Sequence, residues 1–193
     1  MKYCDGNYEG PVWFGNGGGG RGPSAPAVDP AVLAQEAKNR LAVPTPTITI
    51  TPPPDKVLVN ANTFLSIDSS QWGQRSATAS AGGVTSTAVA VPEKVVWNMG
   101  DGQQVTCNRP GTPFNPNIDY FDQTPDCGYV YKRSSASYPG HVVRVTATLH
   151  YRATWSAAGA PGGGDLGTIS RTSAPVLVSV NEIQTVIVPG GRP

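Results

Sequence analysis

Charge is the scarcest property of this chain. Asp, Glu, Lys and Arg make up 14% of its 193 residues, and the net charge is +1. The basic residues are scattered. The nearest thing to a patch is Lys132-Arg133, a pair that reads as solvated surface. Phosphate backbones need clustered cations, so nucleic acid is excluded as the main partner. No apolar run approaches the length of a membrane span. The start, Met1 to Gly6, has no apolar leader core. Even so, abundant small and hydroxylated residues and scarce lysine lean toward export. Only two histidines occur, His141 and His150. Their odd separation puts them on opposite sides of one regular strand, so joint metal binding there would need a bulge. Each is expected as a surface strand residue. Gly17 to Gly20 is followed by no Lys-Ser/Thr and no helix signal, so it is not a phosphate loop. No Gly-x-Ser-x-Gly elbow is present. No catalytic residue and no cofactor is expected.

Cysteine is nearly as sparse, at three. Cys107 and Cys127 lie twenty positions apart, around a loop rich in Pro, Asn and Asp. A disulfide closing that loop is favoured over two buried thiols. Cys4 is then left for an intermolecular bond or a partner upstream. No CxxC and no nearby His complete a set of four metal ligands.

What the chain has in quantity is glycine (23) and proline (19), together about a fifth of its residues. That share predicts long turn-rich or irregular parts. Residues 1–28 read as a Gly/Pro-rich arm that also carries Tyr8 and Trp13-Phe14. Asp29-Pro30 opens a short helix over 29–43, because Asp caps orphan N–H groups and Pro is tolerated in the first turn. Leu33, Ala37 and Leu41 form its apolar stripe. Residues 44–56 read as a proline-rich link holding the strand Thr47-Ile48-Thr49-Ile50-Thr51, where side chains alternate with period two. Strands are then expected at Val57–Val59, Thr63–Ile67, Arg75–Ser80 and Val84–Val91, with Pro92-Glu93 separating the last from Val95–Asn98. Gly100-Asp101-Gly102 suits a tight reversal, in which glycine reaches positive φ and the Asp carboxylate folds back onto backbone N–H groups. Gln103–Cys107 is the returning strand, and Trp97 anchors one face. The longest strand pattern starts at His141. Val143, Val145, Ala147, Leu149 and Tyr151 share one face, against a mostly polar set of neighbours, as in a half-buried antiparallel strand. Further strands follow at Thr168–Ser173 and Val176–Val180. Ile183–Val188 is an edge strand or tail, and 189–193 a tail. Many short strands with frequent turns predict an all-β fold, an antiparallel β-sandwich over 57–188.

Val96-Trp97-Asn98-Met99-Gly100-Asp101-Gly102 resembles the WDFGDG signature of PKD domains, immunoglobulin-like β-sandwiches of secreted and cell-surface proteins. Tyr129-Val130-Tyr131 sits where that family has its His-x-Tyr element, and Tyr138 to Leu149 is similar to its Gly-x-Tyr-x-Val-x-Leu strand. The likeness covers about Ala88 to Leu149. Asn98 and Met99 replace Asp and Phe, the His is absent, and the cysteine loop is longer than usual. With its Asp29-Pro30-Ala31-Val32-Leu33-Ala34 helix and proline-rich link, the whole chain also looks like secreted proteins of high-GC Gram-positive bacteria. The resemblance implies export, an immunoglobulin-like fold and no known activity. Its motif residues here are Trp97, Gly100, Asp101, Gly102 and Tyr131.

Chemistry has few places to sit. Asp119, Asp122 and Asp126 could offer oxygens to Ca²⁺, but the spacing matches no EF-hand, and turn carboxylates are the favoured reading. Tyr129 and Tyr131 are expected to pack inward. Phe121 either staples the long loop to the sheet or, with Tyr120, meets a partner. Trp13, Phe14, Leu33, Leu41, Tyr120 and Phe121 are the candidate contact residues. The expected role is a non-catalytic extracellular module for spacing, adhesion or assembly with a protein partner or with itself. The alternatives are carbohydrate binding by loop aromatics, and an accessory domain of a secreted hydrolase.

Overall fold

The computed structural model describes residues 28–183. The readings placed on Cys4, Trp13 and Phe14, and most of Ile183–Val188, lie outside them. The fold is mostly β, with one N-terminal helix and several antiparallel sheets.

Two long strands form its spine, β5 (Val84–Asn98) and β8 (Val143–Ala158). At about 3.3 Å per residue, each spans about 50 Å. They are flanked by β4 (Arg75–Ala81), β6 (Gln104–Cys107), β9 (Gly163–Thr172) and β10 (Val176–Val178) to make one six-stranded sheet. A second sheet holds β1 (Ile48–Thr51), β3 (Thr63–Ile67) and β7 (Gly128–Tyr129). A small parallel pair joins β2 (Val57–Leu58) to β11 (Val180–Asn181).

Pro92 and Glu93 were expected to divide two strands, yet β5 runs straight through them. The register skips Glu93: Pro92 pairs with Tyr151, and Lys94 pairs with His150. This one-residue bulge resolves an apparent conflict in the pattern. Buried residues are even-numbered before it (Ser86, Ala88, Ala90) and odd-numbered after it (Val95, Trp97). With one residue looped out, both sets face the same side, opposite the buried odd-numbered residues of β8. Proline is tolerated at such a bulge because a ladder N–H is not required there.

That inner face has two covers. The β1-β3-β7 sheet brings Ile50, Leu65 and Ile67 into the same core as Trp97, Met99 and Leu149. The helix α1 (Pro30–Asn39) covers the far half. Asp29 caps it, its carboxylate accepting from Ala31 N at 2.8 Å. The helix is shorter than expected, and its buried helical residues are Ala34 and Ala37. Small side chains there let the backbone lie close to the sheet. Polar bonds then fix the lid: Ser86 Oγ donates to Pro30 O at 2.7 Å, and Lys38 Nζ to Leu166 O at 2.6 Å. Strand β1, expected within a link, is an integral sheet member.

His141 was expected to begin the long strand. It sits instead in the turn before β8, with a positive φ of 57° and its Nδ1 2.8 Å from Ala136 O. The two histidines therefore do not share a strand. Cys107 and Cys127 form the disulfide, with Cα atoms 5.7 Å apart. Such bonds persist in oxidising compartments. Among the described residues, no helix is long and apolar enough to cross a membrane.

Candidate functional site

The motif residues converge as the hairpin chemistry requires. Strand β5 returns through Gly100 and Gly102, at φ 77° and 93°, into β6, with Asn98 opposite Gln104. Asp101 Oδ1 accepts from Gln103 N at 3.0 Å and closes the turn. A Cβ on Gly100 would stand 2.6 Å from Arg144 N, so only glycine lets the turn approach β8. Tyr129 donates to Asp101 Oδ2 at 2.7 Å, and Tyr131, fully buried, donates to Met99 O at 3.1 Å. Their rings meet edge to face at 4.8 Å. Two phenols thus tie the turn to the chain emerging from β7. Burial, followed by the Asp101 carboxylate, holds both phenols far above their ordinary pKa, so both are neutral donors. Tyr131 packs inward as expected. Tyr129 is half-buried and lines a cleft of about 360 Å³ with Asp101, Gln103, Lys132, Arg133 and Tyr138.

The second feature is the loop closed by the disulfide. Both of its ends bond to β3: Leu65 N donates to Cys127 O at 3.0 Å, and Ile67 N to Pro110 O at 2.9 Å. Its acids are engaged in turns. Asp119 Oδ1 accepts from Phe121 N at 2.9 Å. Asp126 accepts from Thr112 N at 2.7 Å and lies 3.9 Å from Arg109. Asp122 falls in the first turn of the short 3-10 helix over Tyr120–Asp122. Asp119, Asp122 and Asp126, the weak Ca²⁺ candidates, thus serve the loop's own turns and ion pair, and among the described residues no three His, Cys, Asp or Glu side chains gather at one point.

Gln123, which no local pattern marks, holds the middle of the loop. Its Oε1 accepts from Asn115 N, and its Nε2 donates to Asn115 O and Ile118 O, each at 2.9 Å. The aromatic residues divide their roles. Phe114 and Tyr120 pack edge-on against Phe64 of β3, at 5.3 and 6.1 Å between ring centres. Tyr120 also donates to Asn62 O. Phe121 does not staple the loop, because it is 90% exposed. Its ring stands at 88° to Tyr120 and flanks an almost wholly apolar groove of about 400 Å³. Leu58, Val59, Ala61 and Pro52 form the rest of the groove with Ile183, itself 79% exposed.

Of the other candidate contacts, Leu41 is 7% exposed and Leu33 is packed against the same core. The chain uses Leu41 internally, whereas Leu33 keeps part of its surface exposed. His150 lies on the outer face of β8, where burial and then Lys94 lower its pKa. In comparisons with known proteins, the chain matches no family model, no curated protein and no solved structure.

Proposed function

We propose that this chain is a non-catalytic module of the cell exterior that holds a protein partner through the groove beside Phe121. The observation that carries the reading is a large aromatic side chain held in water by a loop that is otherwise pinned. The disulfide, side-chain bonds of Asp119 and Gln123, and the packing of Tyr120 on Phe64 hold the loop around Phe121, so less ordering entropy remains for binding to remove. Exposed aromatics on rigid supports are what interface hot spots are made of, and the apolar lining beside this one fits an apolar side chain of a partner. The likeness to PKD-type sandwiches belongs to the same proposal. It is supported by the meeting of Trp97, the Gly100-Asp101-Gly102 turn and Tyr131.

A second reading has one observation in its favour. The cleft between Asp101, Tyr129, Tyr138 and Arg133 mixes hydrogen-bonding groups with aromatic walls, which suits a sugar unit. The loop aromatics suit it less, since perpendicular rings at Tyr120 and Phe121 make no flat platform.

The test is selection of peptides from a random displayed library against the immobilised full chain. Peptides with an apolar or aromatic anchor should be recovered, and Phe121→Ser should weaken them by roughly thirtyfold, the scale of a hot spot of about 2 kcal/mol. Stability should change by no more than about 0.5 kcal/mol, as for other surface substitutions. Selected peptides that bind Phe121→Ser as well as they bind the original would overturn the reading. So would glycan binding that survives Phe121→Ser and is lost on Arg133→Ala, which would transfer the function to the second cleft.

A further inference from the structure

We propose that β4 is a self-pairing edge, through which two copies of this chain join their large sheets by an antiparallel β4–β4 contact centred on Thr78. The inference is independent of the groove beside Phe121.

Among the described residues, strand β4 pairs with β5 and with no other strand, so one side of it carries a row of backbone donors and acceptors that no described strand takes up. Natural edges are usually defended by brevity, charge, proline or bulges. The other edges of the described chain show these devices. Strands β6 and β10 have four and three residues. Strand β1 lies between Pro46 and Pro52, and β9 is interrupted by a bulge at Leu166 between Asp165 and Gly167. Strand β4 carries a single charge, Arg75 at its first position, and that guanidinium is turned onto Ser70 O. Its register with β5 is unbroken from Arg75 to Ala81, and Ser76 to Ser80 contain no charge and no proline.

Its sequence adds a second, independent reason. Ser76-Ala77-Thr78-Ala79-Ser80 reads the same in both directions. Antiparallel pairing of two copies about a two-fold axis at Thr78 sets Thr78 opposite Thr78, Ala77 opposite Ala79 and Ser76 opposite Ser80. Each side chain then meets a partner of like size, as an isologous interface requires. The backbone is aimed for this. Arg40 Nη1 donates to Thr78 O at 3.1 Å, which shows that this carbonyl is accessible from outside the sheet. A strand residue's N–H and C=O point the same way, so Thr78 presents a complete hydrogen-bonding pair to a second strand. Among the described residues, Arg40 is the guard at Thr78. It lies on an exposed side chain, already paired with Glu36 at 3.0 Å, and can swing aside.

The experiment uses the full chain carrying Cys4→Ser, with a single new cysteine. Across a hydrogen-bonded antiparallel pair, Cα atoms stand about 5.5 Å apart, within disulfide reach. Thr78→Cys should therefore form a covalent dimer under mild oxidation. Ser76→Cys alone and Ser80→Cys alone should not, being about 13 Å from their own copies at about 3.3 Å per residue. A mixture of those two variants should cross-link to each other. In sedimentation equilibrium the unmodified chain should show a monomer–dimer equilibrium. Thr78→Pro should abolish it while keeping the β-sheet circular dichroism, because the lost N–H is not one that β5 uses. A Thr78→Cys chain that cross-links no faster than Ser80→Cys would overturn the proposal. So would an unmodified chain that stays monomeric at its highest soluble concentration, whether β4 is then bare or covered by residues preceding Val28.

Discussion

Replacing Trp97 with alanine is expected to cost about 3–5 kcal/mol, the range for removing a buried aromatic side chain. Trp97 has no exposed surface and sits on β5 between the turn at Gly100 and the bulge at Glu93. It belongs to the one cluster that includes residues of both sheets and of the helix, so a cavity there loosens every layer at once. A domain of this size has about 5–15 kcal/mol in total, and melting should fall by about 6–20 °C. Among the described residues no group accepts the indole N–H, so shape and area carry the effect. Trp97→Phe should therefore keep more than half of the lost stability. Thermal unfolding followed by near-ultraviolet circular dichroism measures both. An alanine variant that melts within two degrees of the parent would contradict this placement of Trp97.

The second large effect is expected at the disulfide. Removing it as Cys107→Ala with Cys127→Ala frees a loop of about twenty residues in the unfolded chain, which the chain-entropy treatment values at about 3 kcal/mol. The loss should appear as a lower denaturant midpoint with an equal or somewhat steeper slope, because the unfolded chain without the cross-link exposes more surface. The loop does more than close on itself. Its two ends bond to the edge of β3, and a Cβ on Gly111 would stand 2.1 Å from Leu65 O, so the seam is tight. Cutting the cross-link should therefore also raise exchange of the Leu65 and Ile67 amides. A variant with an unchanged midpoint would contradict the assigned role.

What the sequence made legible was local. Gly100-Asp101-Gly102, the alternation in Val143 to Tyr151, the Asp29 cap and the cysteine pair all express turn or periodicity rules acting over a few residues. The continuous run of β5 was hidden by Pro92, whose usual meaning is an end. The change of buried parity from Ala90 to Val95 was visible, but it reads as a bulge only when a partner strand supplies the register. The pairing of β2 with β11 joins residues far apart in sequence through two-residue strands, too short to carry a pattern. For the candidate site, Tyr120 and Phe121 were both marked, but their division of labour was not. Which of two adjacent aromatics turns inward depends on Phe64 and Asn62, more than fifty residues upstream. Gln123 was missed for a related reason. Its amide is an ordinary polar side chain until Asn115 and Ile118 come within reach.

The central claim is that a hydrogen-bonded loop, cross-linked at its base, presents Phe121 as a preformed contact. Amide hydrogen exchange read residue by residue tests it most directly. In the oxidised chain, the amides of Thr112, Asn115 and Phe121, which donate to Asp126, Gln123 and Asp119, should be protected well above free-peptide rates. Reduction should release them while Val95, Trp97 and Leu149 stay protected. Loop amides that exchange at free-peptide rates with the disulfide intact would contradict the account, because Phe121 would then hang from a loose segment.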